Sequence, residues 1–149
     1  MSNARLLANL VPDGLDYEEG TFTASLLAPG GVSGTFDLND NFELMSYTKI
    51  GNRVFVSGRV KIDSVTSPSG DEFHLGGLPF TIKTPIYAET GSAGSVTYYD
   101  SSAGSYLTTQ PANAEGLIAG YSNRWRIFKT ASDLGANDQL SFSFTYLTS

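Results

Sequence analysis

The sequence predicts an all-β protein: an antiparallel β-sandwich, jelly-roll-like, with a short N-terminal arm. Hydrophobic residues make up 40% and aromatic residues 12% of the 149 residues, which is too apolar for a disordered chain. Several segments alternate apolar and polar residues with a period of two, and clusters of glycine, serine, asparagine and proline separate them. The length suits one core, so we expect an arm at residues 1–14 and one sandwich domain of about eight to ten strands at residues 15–149.

The arm carries four apolar residues at a spacing that fits one face of a short helix, namely Leu6, Leu7, Leu10 and Val11. The Pro-Asp-Gly sequence that follows ends this pattern. A helix of this length is not stable alone, so the arm is either helical or extended and needs a surface to pack on. Two alternatives remain open. The arm docks on another chain of an assembly, or it packs on its own domain or a neighbouring protomer.

The first strand is expected at residues 21–27, because an acidic segment precedes it and a Pro-Gly-Gly break follows. We interpret the acidic residues 16–20 as a connector between the arm and the sandwich. Residues 91–105 are rich in glycine, serine and alanine, and they are predicted to form a long surface loop or a hairpin tip.

Residues 42–62 predict a β-hairpin, since two extended segments flank the dipeptide Gly51-Asn52. After this turn, four apolar residues are expected to face the core: Val54, Val56, Val60 and Ile62. The residues that alternate with them are polar and are expected to face solvent: Arg53, Ser57, Arg59 and Lys61. Gly58 lies on the apolar side, where it leaves room for a bulge or for a neighbouring ring.

Later segments repeat the alternation, at residues 96–99, 116–121, 124–128 and 140–147. The last of these is the clearest, because Leu140, Phe142, Phe144 and Tyr146 share one face and only serine and threonine alternate with them. We predict that this segment is a half-buried antiparallel strand.

Composition excludes several functions. Nine Lys and Arg against fifteen Asp and Glu give a net charge of −6, which is the wrong sign for binding nucleic acid. The absence of cysteine excludes disulfides and thiolate active sites. No apolar run reaches the roughly 18 residues of a membrane-spanning helix, so we expect no membrane insertion.

No catalytic residue, metal site or cofactor is predicted. His74 is the sole histidine, and no nucleophile motif accompanies it, so we expect a structural or surface role. The acidic residues 37–43 suggest calcium, but the loop template fails because Phe42 and Thr48 replace the required glycine and glutamate. With fifteen acidic residues, some carboxylate pair at glycosidase spacing is inevitable and indicates nothing.

Aromatic residues of the later segments suggest a recognition surface. Tyr98, Tyr99, Tyr106 and Tyr121, together with Trp125, are amphipathic rings of the kind enriched where proteins bind partners. The alternative is that these rings pack between the sheets.

Four phrases of the sequence occur in an order that resembles a known family. They are LDYEEGTFT at residues 15–23, YTKIGNRV at 47–54, GLPFT at 77–81 and SFSFTY at 141–146. Over about residues 15–149 the chain resembles the C-terminal β domain of bacteriophage tail-fibre and related virion surface proteins. The resemblance implies a compact, non-enzymatic β-sandwich that forms a homotrimer on the exterior of the virion and assembles in the host cytoplasm.

Within that resemblance we expect capsid decoration, in which a small trimeric module cements the shell. Fourteen residues before the β domain are too few for the stalk and attachment domain of a fibre. The alternative is a tail-fibre tip or other tail protein that acts as an adhesin for a host surface glycan or protein. The expected partners are therefore a homotrimer and other virion proteins, of the capsid shell or the tail.

Overall fold

The computed structural model describes residues 16–28, 34–67, 69, 73–83, 93–107, 125–127 and 134–148. These residues form ten β-strands and no helix. The strands are β1 (Tyr17–Thr23), β2 (Ser25–Leu27), β3 (Thr35–Leu38), β4 (Leu44–Ile50), β5 (Arg53–Thr66), β6 (Phe73–Gly76), β7 (Ala93–Asp100), β8 (Ser105–Leu107), β9 (Trp125–Ile127) and β10 (Gln139–Leu147). The predicted arm and its residues Leu6, Leu7, Leu10 and Val11 lie outside the described residues.

Seven strands form a large antiparallel sheet in the order β1-β4-β5-β10-β7-β8, and β3 pairs with β5 beside this path. β5 is the longest strand, with 14 residues, so β4 pairs with its first part and β3 with its last part. A second antiparallel sheet has the order β2-β6-β9.

The core joins both sheets. The inward residues of β10 are all buried, as the alternation predicts, at Leu140, Phe142, Phe144 and Tyr146. They belong to one apolar cluster with Val54, Val56, Val60 and Ile62 of β5 and with Leu26, Phe73 and Leu75 of the small sheet. The all-β sandwich is therefore confirmed. A jelly roll has two four-stranded sheets, and because the described strands divide as seven and three, that detail stays a prediction.

The predicted hairpin is confirmed as β4 and β5, with Ile50 opposite Arg53 across the turn. Gly51 has a φ of 59°, at the first turn position, where a type II′ turn requires positive φ. Gly58 leaves room for an aliphatic side chain instead of a ring, because a Cβ built there meets Cγ of Met45 at 2.8 Å.

The predicted start of the first strand is wrong. Residues 17–20 belong to β1, and the chain leaves the large sheet at Ala24, whose N–H donates to the carbonyl of Glu43 (2.8 Å) before β2 begins. Acidic residues are tolerated here because β1 is an edge strand, where charge hinders pairing with other chains.

The segment 91–105 is not a loop over most of its length, but the alternative prediction of a hairpin tip is confirmed at residues 101–104, between the paired strands β7 and β8. Its residues 93–100 form β7, and the described turn is confined to residues 101–104. Gly94 lies opposite Phe144, and a Cβ on this glycine would overlap the Phe144 side chain. Small residues in this segment are thus explained by close packing in a sheet rather than by a loop.

Truncating the core row of β10 is expected to be costly. Phe144→Ala should lower the free energy of unfolding by about 3–5 kcal/mol, since it removes a buried ring. The neighbouring exposed change Ser143→Ala should stay within about 0.5 kcal/mol of the parent. Urea denaturation measures both. Equal stabilities of the two variants would contradict the alternation of β10.

Alkaline pH is expected to destabilise the fold through Tyr146. Burial raises the pKa of Tyr146 to about 12, and its hydroxyl donates to the carbonyl of Phe80 at 3.3 Å. Because the folded pKa lies above the ordinary value of 10.0, this contribution to stability is complete below pH 10 and is lost as pH rises towards 12. Urea midpoints between pH 9 and 12 should fall less steeply for Tyr146→Phe. Parallel curves for the two proteins would refute this role.

Candidate functional site

The large sheet has a second face, opposite the core. Three adjacent strands, β4, β5 and β10, contribute to the surface that we call the outer face. It consists of Leu44, Ser46, Thr48, Ile50, Arg53, Phe55, Ser57, Arg59, Lys61, Gln139, Ser141, Ser143, Thr145 and Leu147. These residues alternate with the buried residues of the same strands, which places them on the side away from the core.

Cross-strand pairing arranges the centre of the outer face in rows. One row contains Thr48, Phe55 and Thr145, and the next contains Ser46, Ser57 and Ser143. A shallow groove of about 380 Å³ opens here and is lined by these six residues and by the Tyr47, Val56 and Phe144 positions that alternate with them. The groove therefore presents one aromatic ring among five hydroxyl groups.

Phe55 is the most unusual residue of this groove. Its side chain is 41% exposed although it lies on β5, an interior strand of the large sheet. Two more large apolar side chains of the outer face are exposed, Leu44 at 60% and Ile50 at 43%. Exposed large apolar side chains beside a groove are typical of a binding surface.

The charge of the outer face has the opposite sign to that of the whole chain. Its charged residues are Arg53, Arg59 and Lys61, whereas the chain carries a net charge of −6. Two carboxylates adjoin it, Glu19 opposite Thr48 on β1 and Asp63 two residues beyond Lys61 on β5. The guanidinium of Arg59 lies 5.3 Å from the ring centroid of Phe42, which holds this cation by a cation–π contact. The outer face therefore favours an anionic or neutral ligand.

Carboxylates beside this face, on edge strand β1, are held by local partners. The Tyr17 hydroxyl donates to Glu19 and the Tyr47 hydroxyl to Glu18, each at 2.7 Å. These hydrogen bonds to carboxylates raise the pKa of both tyrosines. The ammonium of Lys49 pairs with Asp16.

At Tyr98 the structure contradicts the predicted recognition surface of tyrosines. This residue faces inward on β7 and is 3% exposed, and its hydroxyl donates to the buried carboxylate of Asp138 at 2.5 Å. Tyr98 is therefore part of the core, and its proposed place on a recognition surface is wrong. Tyr99 is half-buried and lies opposite Gln139.

The other proposed aromatic residues remain untested. Tyr106 pairs with Tyr99 through β8, and Trp125 lies on β9, but their side chains are outside the described part of the structure. Tyr121 lies wholly outside it.

No catalytic or metal centre emerges from the part of the chain that the structure describes. His74 is 1% exposed on β6. Within the acidic segment 37–43, the Asn39 side chain donates to both carboxylate oxygens of Asp63 at 3.0 Å. Across the described ranges, no three His, Asp or Glu side chains are grouped so as to hold a metal ion. Nor does any described segment form a helix suited to crossing a bilayer.

Comparisons with known proteins add one structural likeness. No protein-family model matches the chain, and no curated protein matches it. Among solved structures, the Dettilon tailspike protein (gp208) is similar, with a TM-score of 0.64 and 19% sequence identity. The alignment covers 87% of this chain and 23% of the tailspike chain. The two proteins thus share a fold over less than a quarter of the tailspike's length.

Proposed function

We propose that this protein is a non-enzymatic module of a bacteriophage tail, which stands on the exterior of the virion and presents the outer face. The observation that carries the proposal is the common fold with a tailspike protein over 87% of the chain. The resemblance of four ordered sequence phrases to tail-fibre C-terminal domains supports it independently. The non-enzymatic part rests on the sequence, whose sole histidine lies in a buried strand.

The same proposal includes a homotrimer that assembles in the host cytoplasm. Closed symmetry gives a small module three copies of each binding surface, and effective concentration then raises the avidity for a repetitive target. Support for the trimer comes from the resemblance to tail-fibre domains.

Capsid decoration is the competing assignment. It is the first expectation from the sequence. The structural likeness to a tailspike protein favours a location on the tail over one on the capsid, because the protein that shares this fold is named for the tail. The two assignments differ in where the protein lies on the particle, which is directly observable.

Location on the particle tests the proposal. Gold-labelled antibody against this chain should mark the tails of intact particles in electron micrographs, and tail-less heads from the same lysate should be unlabelled. Label on the heads would assign the protein to the capsid and refute the tail proposal. Particles without label on either part would exclude a virion protein.

The N-terminal arm is proposed to attach the module to another virion chain. Burying Leu6, Leu7, Leu10 and Val11 would contribute about 1.5–3 kcal/mol each before ordering costs. Deleting residues 2–12 should leave the melting temperature unchanged and abolish binding to the particle. A lower melting temperature or a dissolved trimer would place the arm on its own domain or on a neighbouring protomer. A deletion variant that keeps both stability and particle binding would refute both alternatives.

A further inference from the structure

We propose that the outer face binds an acidic polysaccharide, which lies along β5 with one sugar ring stacked on Phe55. The inference rests on the proposed function in so far as a tail module on the virion exterior meets the glycans of a host surface. Three features of the outer face support it: one exposed aromatic ring, rows of hydroxyl groups and an excess of cations.

The ring of Phe55 provides the stacking platform. A sugar has an apolar C–H side and a hydroxyl rim, so it fits a flat ring with hydrogen-bonding groups beside it. Thr48 and Thr145 lie directly opposite Phe55 on the two neighbouring strands. Each threonine offers a methyl group that extends the apolar platform and a hydroxyl that both donates and accepts.

The serine row extends the site along the strand. Ser46, Ser57 and Ser143 lie next to the threonine row, at a distance of about 7 Å along the strand direction. Small side chains in this row keep the groove open beside the bulky ring. Regularly spaced hydroxyl groups suit a ligand that itself repeats hydroxyl groups, as a polysaccharide does.

Cations at both ends give the site its preference for an acidic ligand. Arg53 precedes Phe55 by two residues and Arg59 follows Ser57 by two, so they flank the groove about 20 Å apart along β5. The Phe42 ring holds the Arg59 guanidinium in place, which lowers the entropy lost on binding a carboxylate or phosphate. The Glu19 carboxylate lies at the margin of this side, opposite Thr48 on β1, where it accepts a hydrogen bond from the Tyr17 hydroxyl, and the cations of the outer face outnumber it.

A second copy of the chain fits this face less well than a glycan. The core of a protein interface is usually its most apolar part, whereas the centre of the outer face holds five hydroxyl side chains around one ring. The exposed Leu44 and Ile50 lie beside this centre, on β4. Because these two apolar side chains are exposed, the test below also includes the outcome in which a second copy of the chain covers the outer face.

The experiment titrates the full-length protein with defined glycans by calorimetry. Oligosaccharides of alginate and of polysialic acid serve as acidic probes, and dextran oligosaccharides of matched length serve as the neutral probe. We expect the acidic probes to bind more tightly than dextran and their affinity to fall as salt rises.

Variants assign the binding to the proposed residues. Phe55→Ala should weaken binding of the acidic probes at least about tenfold, and Phe55→Tyr should retain it because the ring remains. The double variant Arg53→Gln and Arg59→Gln should weaken acidic probes and leave dextran unchanged. Lys49→Gln is the matched control, because this cation lies on the other side of β4, where it pairs with Asp16, and its loss should leave glycan binding unchanged.

Light scattering and thermal melting of each variant separate a binding site from an interface. Loss of glycan binding by Phe55→Ala, with unchanged molar mass and melting temperature, supports the proposal. It is overturned if neither acidic probe binds more tightly than dextran, or if Phe55→Ala leaves the affinity intact. It is equally overturned if Phe55→Ala lowers the molar mass, since the outer face would then join copies of the chain. Gold label on the capsid would refute the tail proposal and leave the glycan result standing.

Discussion

The register of β10 between β5 and β7 is the constraint on which both faces of the large sheet depend. Successive residues of β10 point to opposite faces, so Phe142 and Phe144 point into the core while Ser141 and Ser143 point away from it. A slip of one residue would exchange these two sets, exposing two rings and burying two hydroxyl groups. The pairing of Ser57 with Ser143 and of Phe55 with Thr145 follows from this register, so the groove on the outer face is a consequence of core packing.

Polar contacts fix that register at both ends of β10. At its start, the buried Asp138 carboxylate accepts hydrogen bonds from the Tyr98 hydroxyl and from the backbone N–H groups of Ser101 and Gly135. At its end, Thr148 donates through its hydroxyl to the carbonyl of Thr81 and through its N–H to that of Asn52, both at 2.8 Å. Because a buried carboxylate is costly without partners, the Asp138 network ties the turn before β10 to β7.

Local patterns predicted the features that depend on neighbours in sequence. The inward rows of β5 and β10 follow from alternation, and the hairpin turn follows from Gly51-Asn52. The errors arose where distant partners decide. The segment around Gly94 looks like a loop until Phe144 is seen to occupy the space of its missing side chain. Tyr98 could be assigned to either face until Asp138, forty residues away, became its hydrogen-bond partner. Phe55 was missed because the alternation marks inward residues and gives no reason to examine an outward ring.

The central claim is that the outer face of the large sheet stays open to solvent while its inner face forms the core. Hydroxyl-radical footprinting of the assembled protein, read by mass spectrometry, compares the two faces in a single sample. Phe55 should be oxidised rapidly, and Phe144, which is 3% exposed, should be strongly protected. Equal protection of the two rings would contradict an open outer face, because that face would then be covered in the assembled protein.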